Sequence, residues 1–397
     1  MTALGNDQLP WATIDSTAAL RDLRDELARL AEIPGAASSI VQHPDWLLFE
    51  LESRGNTVSL HLVLARGDNG RIIGYAPLLA RQGTTRVAFG AHQIPVHRGR
   101  MLRLLGSGVV AAPPNRASAE STIAAGLKRD RTVRVIHIQE TALPNGLAAA
   151  LSQGRQRFAS VRSNLLDQLN WTIQPQESLA AYLTRLGSKR RNDLTRRLRN
   201  VYKKLGAEAQ LRIFDAPEQV DDYCRLMNQV YARSWHAAEL AIDWELPVRR
   251  ALFQQLVRNQ HMVGHVLMLG TRPIAYVHGY RLGGRYLLDD TGYDEEFAQL
   301  GVGSALVFES VQDLLGHHPH ELIDFGYGDN QYKRVLADQQ SPCGSLHVVR
   351  GIGPRVCFCM ITPLRGTYRC LRWIQRKSHA IASTRRTQRT MKSAGES

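Results

Sequence analysis

Between Arg285 and Phe308 the chain passes from a strand-like run into glycines spaced to hold a phosphate. Gln299, Gly301 and Gly303, with Leu300, Val302 and Ser304 interleaved, form a Gln-x-Gly-x-Gly loop that opens a helix. Glycines let backbone amides close on a phosphate, and a helix N-terminus adds its dipole. The pattern points to the pyrophosphate of coenzyme A. A site that handled an acyl thioester would need a base more than an acid. An attacking amine with a pKa of roughly 8 to 10 must lose its proton, whereas a thiol near roughly 8.5 leaves with less help. Asp289, Asp290 and Asp329 are the candidate carboxylates. A strand turns Asp289 and Asp290 to opposite faces, so only one can meet a shared groove. Asp290 and Asp329, near the strand ends that frame the loop, are the expected bases, and Asp294 is placed to orient the loop.

These residues need a scaffold, and the flanking sequence supplies one. His261–Leu269 and Ile274–Arg281 read as strands joined by a turn at Thr271-Arg272-Pro273, and Gly283-Gly284 turns into a third strand, Tyr286–Asp290. After the loop, Ala305, Phe308, Val311 and Leu315 recur at helical spacing, and Glu321–Phe325 makes a short buried strand. The order is strand, strand, strand, phosphate loop, helix, strand.

That order resembles the acyl-CoA-binding half of the GNAT acetyltransferases. The run Asp324-Phe-Gly-Tyr-Gly-Asp-Asn-Gln-Tyr-Lys333 is similar to a signature of the CelD/BioF-like branch, as are Tyr293-Asp294 before the loop and the basic helix Lys189–Arg199. Leu300-Gly301 stands where many members carry proline-glycine. The resemblance implies an acyl-CoA, acetyl-CoA above all, as co-substrate, held by Leu288, Asp289 and the residues from Gln299 to Ser304, with no metal. It implies backbone N–H donors around Leu287–Asp290, where the central strands splay. Lys333 would stabilise developing negative charge, Tyr332 or Tyr327 would protonate the thiolate, and Arg190 and Arg191, with Tyr293 and Tyr327, would contact substrate.

With 397 residues, 44% hydrophobic and 22% charged, the chain is long enough for two ordinary domains and reads as globular. No stretch approaches the ~18 consecutive apolar residues of a membrane span, and the first residues lack a basic-then-apolar leader. A cytoplasmic location is expected, where acyl-CoA is available. Five cysteines without framework spacing suit reduced thiols. Cys357 and Cys359 are read as alternating along a strand, and His317–His320 as an exposed helix exit; neither is taken as a metal site.

The net charge of +14 is concentrated in two stretches. Residues 189–204 hold eight bases against Asp193 alone, a net of +7, and residues 361–397 hold nine against Glu396, a net of +8. Such a field attracts nucleic acid, anionic lipid or a substrate's phosphates. Leu364, Tyr368, Leu371 and Ile374 form an apolar stripe edged by bases, the pattern of an interfacial helix on an anionic membrane or of a helix packed on its own domain. Nucleic acid ranks lower, since no reading module accompanies the charge.

The first half echoes the second. Helices at Ala18–Leu30 and Asp45–Glu52 precede strands at Val58–Ala65, Arg71–Leu79 and Met101–Leu105, a helix at Ala117–Leu127 and a strand at Val133–Gln139. Its loop, Gly106–Pro114, lacks Gln-x-Gly-x-Gly and carries two prolines. The expected architecture is therefore α/β (α+β): tandem GNAT-like domains, each with a mixed, mostly antiparallel sheet flanked by helices. Residues 1–160 would be the degenerate copy, 161–350 the acyl-CoA-binding copy, and 351–397 a basic amphipathic segment, with the linker around Gly154–Asn164. The acceptor, a small polar metabolite, amino sugar or polysaccharide precursor, would lie between the halves. Two other functions fit the same residues: an aminoacyl-tRNA-dependent ligase of the Fem type, or a non-catalytic envelope-assembly factor held at a membrane by its tail.

Overall fold

The structure is a computed structural model that describes residues 9–89, 92–154, 157–163, 168–238, 242–360, 363 and 366–367. The first half contributes β1 (Trp11–Ile14), β2 (Ser59–Leu60), β3 (Leu62–Arg66), β4 (Ile72–Ala76), β5 (Leu78–Phe89), β6 (His92–Leu104), β7 (Val135–Ala142) and β8 (Ala159–Arg162). The second contributes β9 (Gln168–Ile173), β10 (Ala209–Phe214), β11 (Met262–Leu269), β12 (Arg272–Leu282), β13 (Arg285–Tyr293), β14 (Leu322–Tyr327) and β15 (Gln339–Val349). Strands β1, β3 and β4 form a small antiparallel sheet. The others join in one twelve-stranded sheet, ordered β10-β11-β12-β13-β14-β9-β15-β7-β6-β5-β2, with β8 beside β15.

Two parallel contacts interrupt this antiparallel sheet, β13 with β14 and β6 with β7. Each is three residue pairs long, and then the strands part. They mark corresponding places in the two halves, so the tandem plan expected from sequence is present as a repeated splay. The halves are also stitched together. The start of β15 pairs with β9, and its end pairs with β7 and β8, so a strand that follows the second half's signature completes the first half's sheet.

Helices cover both faces: α1 (Thr17–Asp22), α2 (Arg24–Glu32), α3 (Pro44–Arg54), α4 (Arg116–Arg129) and α5 (Gly146–Leu151), then α6 (Leu179–Arg185), α7 (Ser188–Leu205), α8 (Val220–Tyr231), α9 (Pro247–Arg258), α10 (Val302–His317), α11 (Gln331–Leu336) and α12 (Ile352–Cys359). One apolar core is shared between halves: Leu27, Leu47 and Phe49 from α2 and α3 pack with Tyr223, Phe253 and Tyr280. Trp46 meets Tyr280 edge-on, with ring centroids 5.2 Å apart. A second core seats α10, where Leu306, Phe308, Val311 and Leu315 are all buried against Tyr286, Leu288 and Ile323. This core fixes the helix that opens at the glycine loop.

Several expectations need correction. The strand read over Val58–Ala65 breaks at His61, and that read over Arg71–Leu79 breaks at Pro77. The breaks face each other, with His61 N–H donating to the Leu78 carbonyl (2.9 Å). A proline has no N–H to continue a ladder, so the chain passes from the small sheet to the large one there. The helix read over Ala18–Leu30 divides at Leu23 into α1 and α2. The Gly154–Asn164 stretch read as linker carries β8. Cys357 and Cys359 lie on α12, not on a strand; Phe358 between them is fully buried and both thiols are exposed. The stripe at Leu364, Tyr368, Leu371 and Ile374 falls outside the described residues. Among described residues no helix is long and apolar enough to cross a membrane.

Candidate functional site: a cleft at the glycine loop and a groove between the halves

The glycine loop begins with a 3-10 turn, Glu295–Leu300, capped by Asp294, whose carboxylate accepts from the Glu296 N–H (3.2 Å). Asp294 is buried and bound by Arg233 (2.7 Å) and Arg272 (2.6 Å). It caps the turn that starts the loop and ties it to Arg233 and Arg272. Gly301 then adopts a left-handed backbone, φ +73°, which a side chain would disfavour. It turns the chain into α10, whose first amides, on Val302, Gly303 and Ser304, have no carbonyl within the helix. Gly303 has no room for a side chain, because a Cβ would stand 2.7 Å from the Tyr293 ring. Tyr293 therefore braces the loop from beneath.

Across from these amides runs α7. A cleft of about 430 Å³ is lined on one side by Gln299, Leu300, Gly301 and Ser304 and on the other by Arg197, Asn200 and Lys204. Gln331, Tyr332 and Val335 of α11 close its end. Free amides, a helix dipole and two cations in one cleft are the features a pyrophosphate requires. Arg197 and Lys204 are the residues that the sequence reading missed. The signal was helical spacing: Asp193, Arg197, Asn200 and Lys204 share one face of α7. Arg190 and Arg191 sit nearer the start of α7, where Arg190 lines a separate hollow with Lys189 and Arg196 and donates to the Val335 carbonyl (3.4 Å).

Tyr332, at the cleft's end, lies within reach of the charge of Asp290 on β13. Strand β13 pairs with β14 over Arg285–Leu287, and beyond Leu287 the two strands part. The Leu288 side chain is buried in the core, leaving its backbone to act. Directly there β13 bulges: Gly279 pairs with Leu288 and His278 with Asp290, which leaves Asp289 as the extra residue. A bulge re-aims side chains, so the alternation assumed for Asp289 and Asp290 does not hold through it.

The two carboxylates have different surroundings. Asp290 accepts from the Tyr276 hydroxyl (2.8 Å) and the Thr291 N–H (2.9 Å). Asp289 is open to water yet enclosed by protein, and burial followed by the charge of Asp290 pushes its carboxyl up to about 7; Arg249 opposes the shift and Glu140 adds to it. Glu140 comes from the first half, on β7 beyond its own splay, with a positive φ of 56°. Such a backbone costs about 1–3 kcal/mol in a residue with a Cβ. Arg249 lies over Trp244 (5.0 Å) and over Phe49 of the first half (5.6 Å). Asp289 thus lies within electrostatic reach of groups from both halves.

The signature Asp324–Lys333 proves to be mostly scaffold. Asp324 is buried and accepts from Asn170 (3.0 Å), the Gly326 N–H (2.9 Å) and Arg285. Gly326 and Gly328 take left-handed conformations. Lys333 is buried and folds back, its Nζ donating to the Tyr327 carbonyl (2.8 Å) and the Gly326 carbonyl (3.4 Å). Burial lowers its ammonium to about 8, partly offset by Asp324. Asp329 is exposed and paired with Arg334. Tyr327 is exposed at the end of β14. What the scaffold delivers is Tyr332, which meets Phe325 edge-on (6.0 Å) and lines the cleft. Burial raises its phenol to about 12, and the charge of Asp290 adds to the effect.

The first half's matching loop is filled by its own side chains. A Cβ on Gly106 would lie 2.5 Å from Gln42, the Ser107 N–H donates to Ser38 Oγ (3.0 Å), and Thr141 and Asn145 both donate to the Ser107 carbonyl. As for metals, Glu32, His43 and His261 bring donor atoms within 4.8 Å of one another. None of them belongs to the cleft lining.

An acetyltransferase (GNAT) domain family matches residues 188–334. No curated protein matches the chain. Among solved structures, FemX superimposes with a TM-score of 0.57 at 11% identity over 88% of this chain and 100% of that one. The C-terminal domain of a protein assigned as a lysylphosphatidylglycerol synthetase, from Agrobacterium fabrum, gives 0.53 at 12% over 87% and 95%. L-PGS from Bacillus licheniformis gives 0.50 at 10% over 88% and 97%. These likenesses concern the fold. Residues 188–334 thus match the GNAT domain family, and the chain that contains them shares the fold of FemX over most of its length.

Proposed function

We propose that the protein transfers an acyl group, acetyl in the simplest case, from an acyl-CoA to an amine or hydroxyl of a polar acceptor such as an amino sugar or polysaccharide precursor. The observation that carries this reading is the cleft in which Gln299, Gly301 and Ser304, at the opening of α10, lie opposite Arg197 and Lys204, and whose end residue Tyr332 feels the charge of Asp290. Bound there, an acyl-CoA would supply an activated thioester carbonyl. Where β13 parts from β14, the backbone N–H groups around Leu288 are the donors placed to meet developing negative charge. Asp289, raised to about 7, is poised to take a proton from an acceptor in the groove at neutral pH. Tyr332, protonated and at the cleft's end, is placed to return one to the sulfur. Asp290 is held by the Tyr276 hydroxyl, and its charge adds to burial in raising Asp289.

Calorimetry with coenzyme A, acetyl-CoA and longer acyl-CoAs tests the reading. Binding is expected, with Arg197→Glu and Lys204→Glu each weakening it about tenfold or more, since each reverses a charge facing phosphate. A second reading, an aminoacyl-tRNA-dependent transferase of the Fem type, draws on the exposed bases of α7 outside the cleft, Lys189, Arg199 and Lys203. Failure of every acyl-CoA to bind, with aminoacyl-tRNA bound instead, would replace the first reading by the second.

A further inference from the structure

On the first half, away from the cleft and the groove, a second cavity of about 430 Å³ is lined by Arg131, Arg134, Arg157, Arg350 and Arg355. Arg350 is committed to the fold: its guanidinium donates to the carbonyls of Lys128, Asp130 and Val133 and lies over Phe158 at 4.8 Å. Arg355 donates to the Arg157 carbonyl. Arg131, Arg134 and Arg157 are exposed at its mouth, and no acidic side chain lines it. Gly351 and Ile352, at the start of α12, complete the wall, so the first amides of that helix open into the same cavity.

Helix α12 buries one side chain, Phe358, whose ring lies 4.6 Å from that of His347. Facing away are Ile352, Val356 and Met360, at 85%, 59% and 62% exposure, the largest among big apolar side chains of the described residues. Their spacing of four residues puts them on one helix face. Folding alone would not leave three such side chains in water beside a ring of arginines, and this pairing of an apolar face with cations is that of a helix lying in a bilayer interface.

We propose that α12 and the arginine cavity form a docking surface for an anionic phospholipid bilayer, with Ile352, Val356 and Met360 entering the acyl boundary and a lipid phosphate held by Arg131, Arg134 and the α12 amides. Charge complementarity selects this occupant: the cavity is cationic throughout, and the sequence that follows, residues 361–397, carries a further net +8. A neutral protein partner would match the apolar face but leave the arginines unpaired. None of the residues lining this cavity lines the cleft at the glycine loop.

Co-sedimentation of the full chain with vesicles of phosphatidylcholine alone and of phosphatidylcholine with phosphatidylglycerol tests this. Preference for the anionic vesicles is expected. Arg131→Glu with Arg134→Glu should weaken it about 25-fold or more and flatten its salt dependence, given the contribution of each basic residue near such a surface. Ile352→Asp with Val356→Asp should weaken binding at every salt concentration, while circular dichroism and coenzyme binding stay as in the parent. Equal binding to both vesicle types overturns the proposal. So does unchanged binding in both double variants, which would assign the effect to residues 361–397 alone. Vesicle binding abolished by excess tRNA at the same arginines, or loss of the apolar face in a dimer seen by light scattering, also overturns it.

Discussion

If Asp289 is the base, its titration should be visible and should move in directions set by its neighbours. Its carboxyl is raised to about 7 from an ordinary value near roughly 3.9, through burial, then Asp290, with Arg249 opposing and Glu140 adding. The rate with a fixed acceptor should therefore rise with pH through about 7, because only the carboxylate accepts a proton. Asp289→Asn should remove that limb and lower turnover by about 10²- to 10⁴-fold, the range general-base catalysis supplies. Glu140→Gln should move the limb toward acid, and Arg249→Gln toward alkali, each by about one pH unit if the charge is worth ~1.4 kcal/mol there. The opposite signs separate electrostatics from misfolding, which would lower the rate without moving the limb in opposed directions. Selective carbon-13 labelling of aspartate gives the same titration without an acceptor. The fold responds as well: with the native pKa above the unfolded one, the native state binds the extra proton between about 4 and 7. Stability must then fall as pH rises through that window, a fall that Asp289→Asn should abolish. A carboxyl signal assigned to Asp289 that titrates near 4, or a limb unmoved by both Glu140→Gln and Arg249→Gln, refutes the assignment.

The remaining expectations concern the loop and its scaffold. Gly303→Ala should cost about 1–3 kcal/mol by chemical denaturation, since the new methyl meets the Tyr293 ring, and Gly303→Glu should in addition abolish coenzyme binding measured by calorimetry. Restored stability in Gly303→Ala with Tyr293→Ala would confirm the contact. Lys333→Met should destabilise the fold by about 1–3 kcal/mol, because two carbonyls lose their donor. Turnover that falls further than the folded fraction in that variant would return Lys333 to the chemistry. Asp329→Asn should leave turnover within about twofold, as an exposed partner of Arg334 is worth little, and a loss beyond tenfold would make it the base after all.

The second half was legible because its elements are regular and local. Glycine spacing located the turn into α10, apolar periodicity its buried face, and Arg285–Tyr293 the strand that feeds it. The direction of side chains was less legible. Asp289 gains its position from a bulge that depends on how β13 registers with β12, a relation between strands that no single stretch encodes. Lys333 and Asp329 looked chemical because they are charged and close a signature, but their partners are carbonyls and an arginine within ten residues, a cost of making a left-handed loop at Gly326 and Gly328. Arg197 and Lys204 were hidden by abundance: among eight bases, helical phase alone picks out the pair that faces the loop. Glu140 and Arg249 lie over a hundred residues apart and meet Asp289 only once the halves pack.

That packing makes a further demand on the chain. Sequence boundaries suggest that residues 161–350 could stand alone, but β15 ends in the first half's sheet. Leu346, Val348 and Val349 are buried there, paired opposite Ile138, Ile136 and Val135. Exposing each costs about 1.5–3 kcal/mol, and the core shared by Phe49, Leu47, Tyr223 and Tyr280 would open as well. Ordinary domains have only about 5–15 kcal/mol in hand. A fragment of residues 161–350 should therefore fail to fold by circular dichroism, yet recover coenzyme binding when co-expressed with residues 1–160. The first half would then act as a structural partner whose own loop, closed by Gln42 and Ser38, has given up the cradle while supplying Glu140 and Phe49 to the groove. Independent folding of the fragment with undiminished affinity would show instead that β15 is a tether, and that the groove is assembled without need of the first half.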